Sequence, residues 1–182
     1  HGKFRRQRQM CIRDSLVAAL TTGSWRVMAE APAHMGVGPA DDTAPDGVAN
    51  WWNAGPYDKA DTAMYDDRMV FSSDGIMEYQ TQGSIFGKAP PLETDFSGNQ
   101  DLGAPNSDDE HLYYPAENFN SNWTVSEDNG YLILNFTGNG FIGFYVGGDH
   151  AYTIISRSSN EMYLRTVGSD TNGWFIKITN QE

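Results

Sequence analysis

The fold class is decided by residues 123–136, which read WTVSEDNGYLILNF. Trp123-Thr124-Val125 and Tyr131–Phe136 are rich in the aromatic and β-branched residues that favour strands. Between them lies Asn129-Gly130, a pair that tolerates positive φ and is typical of two-residue hairpin turns. Two strands joined by so short a turn pair in the antiparallel sense. This stretch therefore predicts an antiparallel hairpin.

The same pattern extends outward from this hairpin in both directions. Upstream, Arg68–Phe71 and Ile76–Tyr79 flank Asp74-Gly75, which predicts a second hairpin. Further apolar segments bounded by polar turns lie at residues 25–30, 141–146, 152–156, 162–167 and 174–178. No segment between them has the length and periodicity of a helical crossover, so parallel pairing is not expected. We therefore expect an all-β antiparallel fold of about eight strands, either a lipocalin-like meander barrel or, alternatively, a two-sheet β-sandwich or jelly roll.

Two segments rich in proline and glycine, residues 31–63 and 87–118, interrupt the strand pattern. We expect both to form long loops, and long loops within compact domains often carry function. The length of 182 residues fits one domain, which we place at residues 16–182.

Residues 1–15 differ in character from the rest of the chain. Residues 7–15, QRQMCIRDS, resemble translated sequencing-adapter read-through of the kind found in assembled environmental DNA. We therefore expect residues 1–15 to be a non-native head and exclude them from functional reasoning. Cys11 is the one cysteine of the chain and lies in this head, so we predict neither a disulfide nor a cysteine nucleophile in the domain.

The charge of the chain excludes some classes of partner. The formal net charge is −12; residues 1–15 hold five basic side chains against Asp14, so residues 16–182 carry −16, concentrated in residues 30–128. Binding to nucleic-acid phosphates requires a basic surface, so no nucleic-acid partner is expected. No apolar run approaches the roughly 20 residues that a membrane-spanning helix needs.

The densest group of candidate functional residues is aromatic. Residues 50–57 read NWWNAGPY, and Tyr65 follows shortly after them. Sugar rings stack on aromatic planes and their hydroxyls bind neighbouring Asp and Asn side chains, so a loop of this composition suits a glycan. The alternative is structural: one tryptophan closes the open end of the β scaffold and the other packs beneath the loop.

Carboxylates near these rings also have two interpretations. Either Asp66 or Asp67 binds a sugar hydroxyl or a structural Ca²⁺, or the pair caps backbone N–H groups and interacts with Arg68. The acidic groups at residues 41–46 and 108–110 lack the spacing of an EF-hand loop. Apart from that Ca²⁺ alternative, we predict no metal and no cofactor.

The chain resembles a domain of surface glycan-binding lipoproteins from the polysaccharide-utilisation systems of gut and marine bacteria. The resemblance rests on GSW at residues 23–25, AHMGVGP at 33–39, WWNA at 51–54 and YDDRMVF at 65–71. Residues 123–175 are similar to lipocalin-like domains of the same bacteria. The inferred ligand-binding residues are Trp51, Trp52, Tyr57, Tyr65, Asp66, Asp67 and His34.

This resemblance implies a non-catalytic domain whose partner is a polysaccharide or oligosaccharide. It also implies export, with display at the outer membrane or in the periplasm, beside other modules of a surface lipoprotein such as immunoglobulin-like PKD domains.

Two other functions remain open. A glycoside hydrolase or lyase acting on the same glycans needs two carboxylates across the scissile bond, and Asp67 with Glu78 is one such pair. The sequence has no Gly-x-Ser-x-Gly, His-Glu-x-x-His or P-loop motif. The other alternative is a lipocalin-like barrel holding a small apolar ligand, which predicts an apolar cavity and buried Trp51 and Trp52. A glycan-binding module predicts exposed, roughly coplanar rings.

Overall fold

The computed structural model describes residues 2–98 and 102–182. Within these residues the chain forms twelve strands and two helices. In chain order they are α1 (Gly2–Leu20), β1 (Arg26–Val27), β2 (Met35–Gly38), β3 (Trp52–Asn53), β4 (Arg68–Phe71), β5 (Ile76–Gln80), β6 (Ser84–Lys88), α2 (Ala89–Asp95), β7 (Glu110–Pro115), β8 (Phe119–Asp128), β9 (Tyr131–Phe136), β10 (Ala151–Arg157), β11 (Glu161–Val167) and β12 (Gly173–Thr179).

Ten of these strands form one antiparallel sheet in the order β3-β2-β12-β11-β10-β9-β8-β5-β4, with β1 also paired to β12. β6 and β7 form a separate pair. The long strand β8 pairs with two strands: residues 119–122 pair with β5, and residues 123–128 pair with β9. The sheet therefore has two parts joined along one strand.

The predicted all-β antiparallel class is confirmed, with 39% of the chain in strands. The sheets do not close into a barrel, and a sandwich-like fold fits them, so the lipocalin-like barrel is wrong and the sandwich alternative stands. The edge strand β4 meets the start of β1 at an isolated bridge, in which Trp25 and Met69 exchange backbone hydrogen bonds of 2.8 and 2.9 Å. One bridge does not make the continuous ladder that barrel closure requires.

Both hairpins predicted from turn residues are present. β4 pairs with β5 across the turn that holds Asp74-Gly75, and β8 pairs with β9 across Asn129-Gly130. Asn129 and Gly130 have φ of 49° and 86°, the positive values that the turn requires. The two segments predicted as long loops contain short elements: β2 and β3 lie within residues 31–63, and α2 and β7 lie within residues 87–118.

Residues 141–146 pack in the hydrophobic core, and all six are buried. The sequence predicted a strand here, which is wrong, because Gly143 has φ of +68° and turns the chain out of the extended conformation. Phe141 stacks on Tyr79 with ring centroids 4.3 Å apart, and Phe144 lies 4.6 Å from Phe86. Long apolar runs of this kind occur in buried strands and in buried irregular chain alike, so the pattern did not distinguish them.

Helix α1 contacts the sheet through its C-terminal end. Leu16 and Leu20 are fully buried in the core, whereas residues 10–15 are exposed. The Arg157 guanidinium donates to the Ile12 carbonyl and the Ser15 hydroxyl, at 3.1 and 2.7 Å. A non-native head at residues 1–15 stays a prediction. No helix among the described residues has the length and apolarity to cross a bilayer.

Candidate functional site

The aromatic segment, residues 51–65, carries three exposed rings within seven residues. Trp51 is 59% exposed, Trp52 is 41% exposed and Tyr57 is 58% exposed. Val37 on β2 holds the first two in place, because Trp52 is its register partner and the Trp51 N–H donates to its carbonyl at 3.1 Å. The chain bends at Trp51 and becomes extended at Trp52, the first residue of β3.

Trp52 packs over a lysine. The Lys59 Nζ lies 5.3 Å from the centre of the Trp52 ring and 5.3 Å from that of Phe86. A cation over an aromatic face is attracted by the ring quadrupole, an effect of about 0.5–1 kcal/mol at exposed sites. Trp52 therefore contacts Lys59, and much of its remaining surface faces solvent.

Lys59 also joins a buried charged group that the sequence did not single out. Glu110 is only 5% exposed and lies 3.7 Å from the Lys59 Nζ and 3.5 Å from the Lys88 Nζ. The Asn106 amide lies 3.3 Å from the same carboxylate. The sequence considered Glu110 only within the acidic group at residues 108–110, and Lys59 and Lys88 are two of the three bases in residues 30–128.

His34 is buried and serves to position Tyr65. Its Nδ1 donates to the Ala31 carbonyl at 2.9 Å, so its Nε2 accepts from the Tyr65 hydroxyl at 2.7 Å. The same hydroxyl accepts the Lys59 backbone N–H at 3.0 Å. Burial lowers the pKa of His34 and raises the pKa of Tyr65, which keeps both side chains neutral. His34 thus contacts the site residues from beneath, and its ring has no exposed surface.

Tyr57 and Tyr65 meet at a right angle. Their ring centroids are 6.4 Å apart with an interplanar angle of 90°. The sequence predicted coplanar rings, and this pair is not coplanar. Tyr57 has φ of +59°, and its N–H donates to the Ala29 carbonyl at 2.7 Å, which fixes the ring outside the sheet.

The two predicted carboxylates have different surroundings. Asp66 is exposed, whereas Asp67 is buried and accepts a hydrogen bond of 2.8 Å from the Tyr79 hydroxyl. Its second oxygen has no hydrogen-bond partner among the described residues. Burial raises the pKa of Asp67 to about 9. Asp67 therefore lies in the core as a neutral acid, apart from the exposed rings of the aromatic segment.

A cleft of about 930 Å³ opens beside Tyr57 and Tyr65. Residues far apart in sequence meet there, from the start of the sheet at Arg26 to the end of the chain past β12. Its polar walls include Arg26, Glu30, Arg68, Asn180 and Gln181. Of these five side chains the sequence singled out only Arg68, as a partner for Asp66 and Asp67.

The pair suggested for glycosidase chemistry does not assemble. On β5, Tyr79 faces the core while Glu78 is exposed on the opposite face. Since Asp67 contacts Tyr79 in the core, the two carboxylates lie on different sides of the strand pair.

Among the residues that the structure describes, no group of three or more His, Cys, Asp or Glu side chains could hold a metal ion. The Asp42 carboxylate instead accepts the backbone N–H groups of Ala44 and Asn50, at 2.8 and 2.9 Å. This carboxylate therefore stabilises the loop in which it lies by hydrogen bonds to its backbone.

A cavity of about 10 Å³ lies between Phe144, Tyr152, Thr166 and Trp174. That volume is near the minimum for a single water molecule.

Comparison with known proteins identifies no relative. No family model matches the chain, and no curated protein matches it at a significant level.

Proposed function

We propose that this chain is a non-catalytic carbohydrate-binding domain that holds a polysaccharide or oligosaccharide on the aromatic segment, residues 51–65. The observation that carries the proposal is the exposure of Trp51, Trp52 and Tyr57 within seven residues. Large aromatic side chains cost free energy when they face water, so a cluster of them on the surface favours a binding role.

The fixed position of these rings supports the same function. Backbone hydrogen bonds to Val37 and Ala29 hold Trp51 and Tyr57, and Lys59 contacts Trp52. A rigid aromatic side chain loses little conformational entropy when a ligand stacks on it. Exposed Asp66 and Asn50 supply polar groups for sugar hydroxyls.

Export to the cell surface and association with other modules of a lipoprotein are part of the proposal. They rest on the resemblance of residues 23–71 and 123–175 to surface glycan-binding lipoproteins.

Affinity electrophoresis in gels containing polysaccharides tests the proposal. We expect the wild-type protein to be retarded by at least one polysaccharide and Trp51→Ala/Trp52→Ala to migrate as in an empty gel. Tyr131→Ala is the matched control, since it removes an exposed ring at the β8–β9 turn and should not change retention. Equal retention of the double variant and the wild type would contradict the assignment.

A reducing-end assay separates binding from catalysis. Incubation of the retained polysaccharide with purified protein should release no new reducing ends. Their accumulation would favour the hydrolase alternative.

A further inference from the structure

The cleft beside Tyr57 is a second surface for a ligand, distinct from the faces of Trp51 and Trp52. Its volume of about 930 Å³ lies within the range of roughly 300–1,000 Å³ that small-molecule sites occupy. Three parts of the fold form it: the segment around β1, the start of β4 and the residues after β12.

Glu30, which lines the cleft, is held in position by Arg26. Arg26 donates to both Glu30 oxygens in a bidentate pair of 2.9 and 3.0 Å. Two further donors go to the carbonyls of Gln181 and Val27, at 2.9 and 3.1 Å. The Arg26 pair holds the pKa of Glu30 below its usual value. Arg26 thus uses four of its five N–H donors, and Glu30 presents an oriented carboxylate with acceptor capacity left over.

Arg68, which also lines the cleft, is a base with part of its hydrogen-bonding capacity in use. The Arg68 Nη1 donates to the carbonyls of Tyr65 and Asp67, at 3.0 and 2.8 Å. Within residues 2–98 and 102–182, its Nε and Nη2 have no hydrogen-bond partner. Arg68 is thus anchored at one nitrogen and keeps donors for a ligand.

The exposed ring of Tyr57 completes the arrangement. Edge-to-face packing on Tyr65 sets its orientation, and its hydroxyl has no partner among the described residues. Tyr57 also has a positive φ, a conformation that costs a non-glycine residue free energy and that occurs preferentially at binding sites. Neither Tyr65 nor its hydroxyl is free, because His34 and Lys59 use that oxygen.

We propose that this cleft is a subsite for a neutral sugar, an inference that rests on the proposed glycan-binding function. The sugar ring stacks on Tyr57, one hydroxyl donates to Glu30 and its neighbour accepts from Arg68. A ring face beside one acceptor and one donor matches the two faces and paired hydroxyls of a hexose.

Charge selects a neutral sugar over a uronate. The charge of Arg26 is paired with that of Glu30, whereas Arg68 keeps the free donors of its Nε and Nη2. A sugar carboxylate bound there would share the cleft with the Glu30 carboxylate, and residues 16–182 carry −16. At physiological salt such repulsion acts over about 8 Å.

Affinity gels with a neutral β-glucan, a neutral mannan and polygalacturonate test this inference. Tyr57→Ala should weaken retention by a neutral polysaccharide about tenfold, the effect of losing one stacking contact. Arg68→Gln should weaken it as well, with circular dichroism to show that the variant is folded. Tyr113→Ala removes an equally exposed ring, 57% accessible, outside the cleft and should have no effect.

Each other outcome overturns a defined part of the account. Retention lost in Trp51→Ala/Trp52→Ala but unchanged in Tyr57→Ala overturns the subsite and leaves the proposed function intact. Retention by polygalacturonate alone overturns the neutral class. A wild-type protein that none of these gels retains, and that other polysaccharides also fail to retain, overturns the proposed function and the subsite with it.

Discussion

The Tyr65 hydroxyl lies 2.7 Å from the Nε2 of His34 and donates a hydrogen bond to it. This contact ties the aromatic segment to the residues before β2, because the same oxygen also accepts the Lys59 backbone N–H. One hydroxyl therefore connects the Tyr57–Tyr65 pair with the lysine beneath Trp52. The exposed rings depend on a buried hydrogen-bonded framework.

Removal of this hydroxyl should destabilise the protein measurably. Tyr65→Phe leaves the buried His34 Nε2 without its donor, and an unsatisfied buried polar atom costs about 1–3 kcal/mol. Urea unfolding measures the loss. Tyr57→Phe is the matched control, since its exposed hydroxyl has no partner among the described residues, and it should change the free energy of unfolding by less than about 0.5 kcal/mol. Equal effects of the two variants would contradict this role of Tyr65.

Asp67 should make the protein less stable as the pH rises. Its pKa is about 9 in the folded chain against an ordinary value of 3.8, so the folded state holds a proton that the unfolded state releases. The stabilisation is complete below pH 3.8 and is lost as the pH rises toward 9, with a slope of at most about 1.4 kcal/mol per pH unit.

Asp67→Asn removes this titration and should flatten the dependence. Unfolding in urea at pH 5, 7 and 9 compares the variant with the wild type, and the difference should shift in favour of the variant as the pH rises. Asp66→Asn changes an exposed neighbour and should keep the wild-type slope. A constant difference between wild type and Asp67→Asn at all three pH values would show that Asp67 does not titrate as described.

The turn at Gly143 should be a sensitive point of the core. A Cβ at this residue would lie 2.7 Å from the Val27 Cγ2, and the positive φ adds backbone strain. Gly143→Ala should therefore lower the free energy of unfolding by more than about 2 kcal/mol. Gly138→Ala has a similar φ of +57° with nothing within 4 Å of the added carbon, so it should show the backbone cost alone. Thermal unfolding of both variants measures the two losses of stability, and their difference is the cost of the steric clash at Gly143. Equal losses would show that there is no such clash.

The parts of the fold that the sequence predicted are those with local causes. Asp74-Gly75 and Asn129-Gly130 fix their own turn geometry, so both hairpins followed from a few residues. The choice between barrel and sandwich depends on how β8 divides its two partners and on how β4 meets Trp25. Those pairings join residues far apart in sequence, and no local pattern encodes them.

The candidate site, like the fold, was predicted from the sequence only where local residues determine it. The aromatic composition of residues 50–57 indicated this segment, and both Trp51 and Trp52 are exposed. The core position of Asp67 follows from its contact with Tyr79 on β5, which the sequence pattern does not specify. The walls of the cleft, Arg26 and Arg68, come together only through the paired sheet edges.

The central claim is that glycan stacks on Trp51 and Trp52, and the indole N–H signals of a ¹⁵N-labelled protein test it most directly. The chain has five tryptophans. Trp25 and Trp123 provide internal references, because their buried indoles donate to the carbonyls of Leu20 and Ile76, at 2.9 and 3.2 Å.

Titration with a polysaccharide fragment that the gels retain should shift the Trp51 and Trp52 signals, assigned with Trp51→Phe and Trp52→Phe, while Trp25 and Trp123 stay fixed. Saturating ligand that leaves both exposed indoles unchanged, or that moves the buried references instead, would contradict the account.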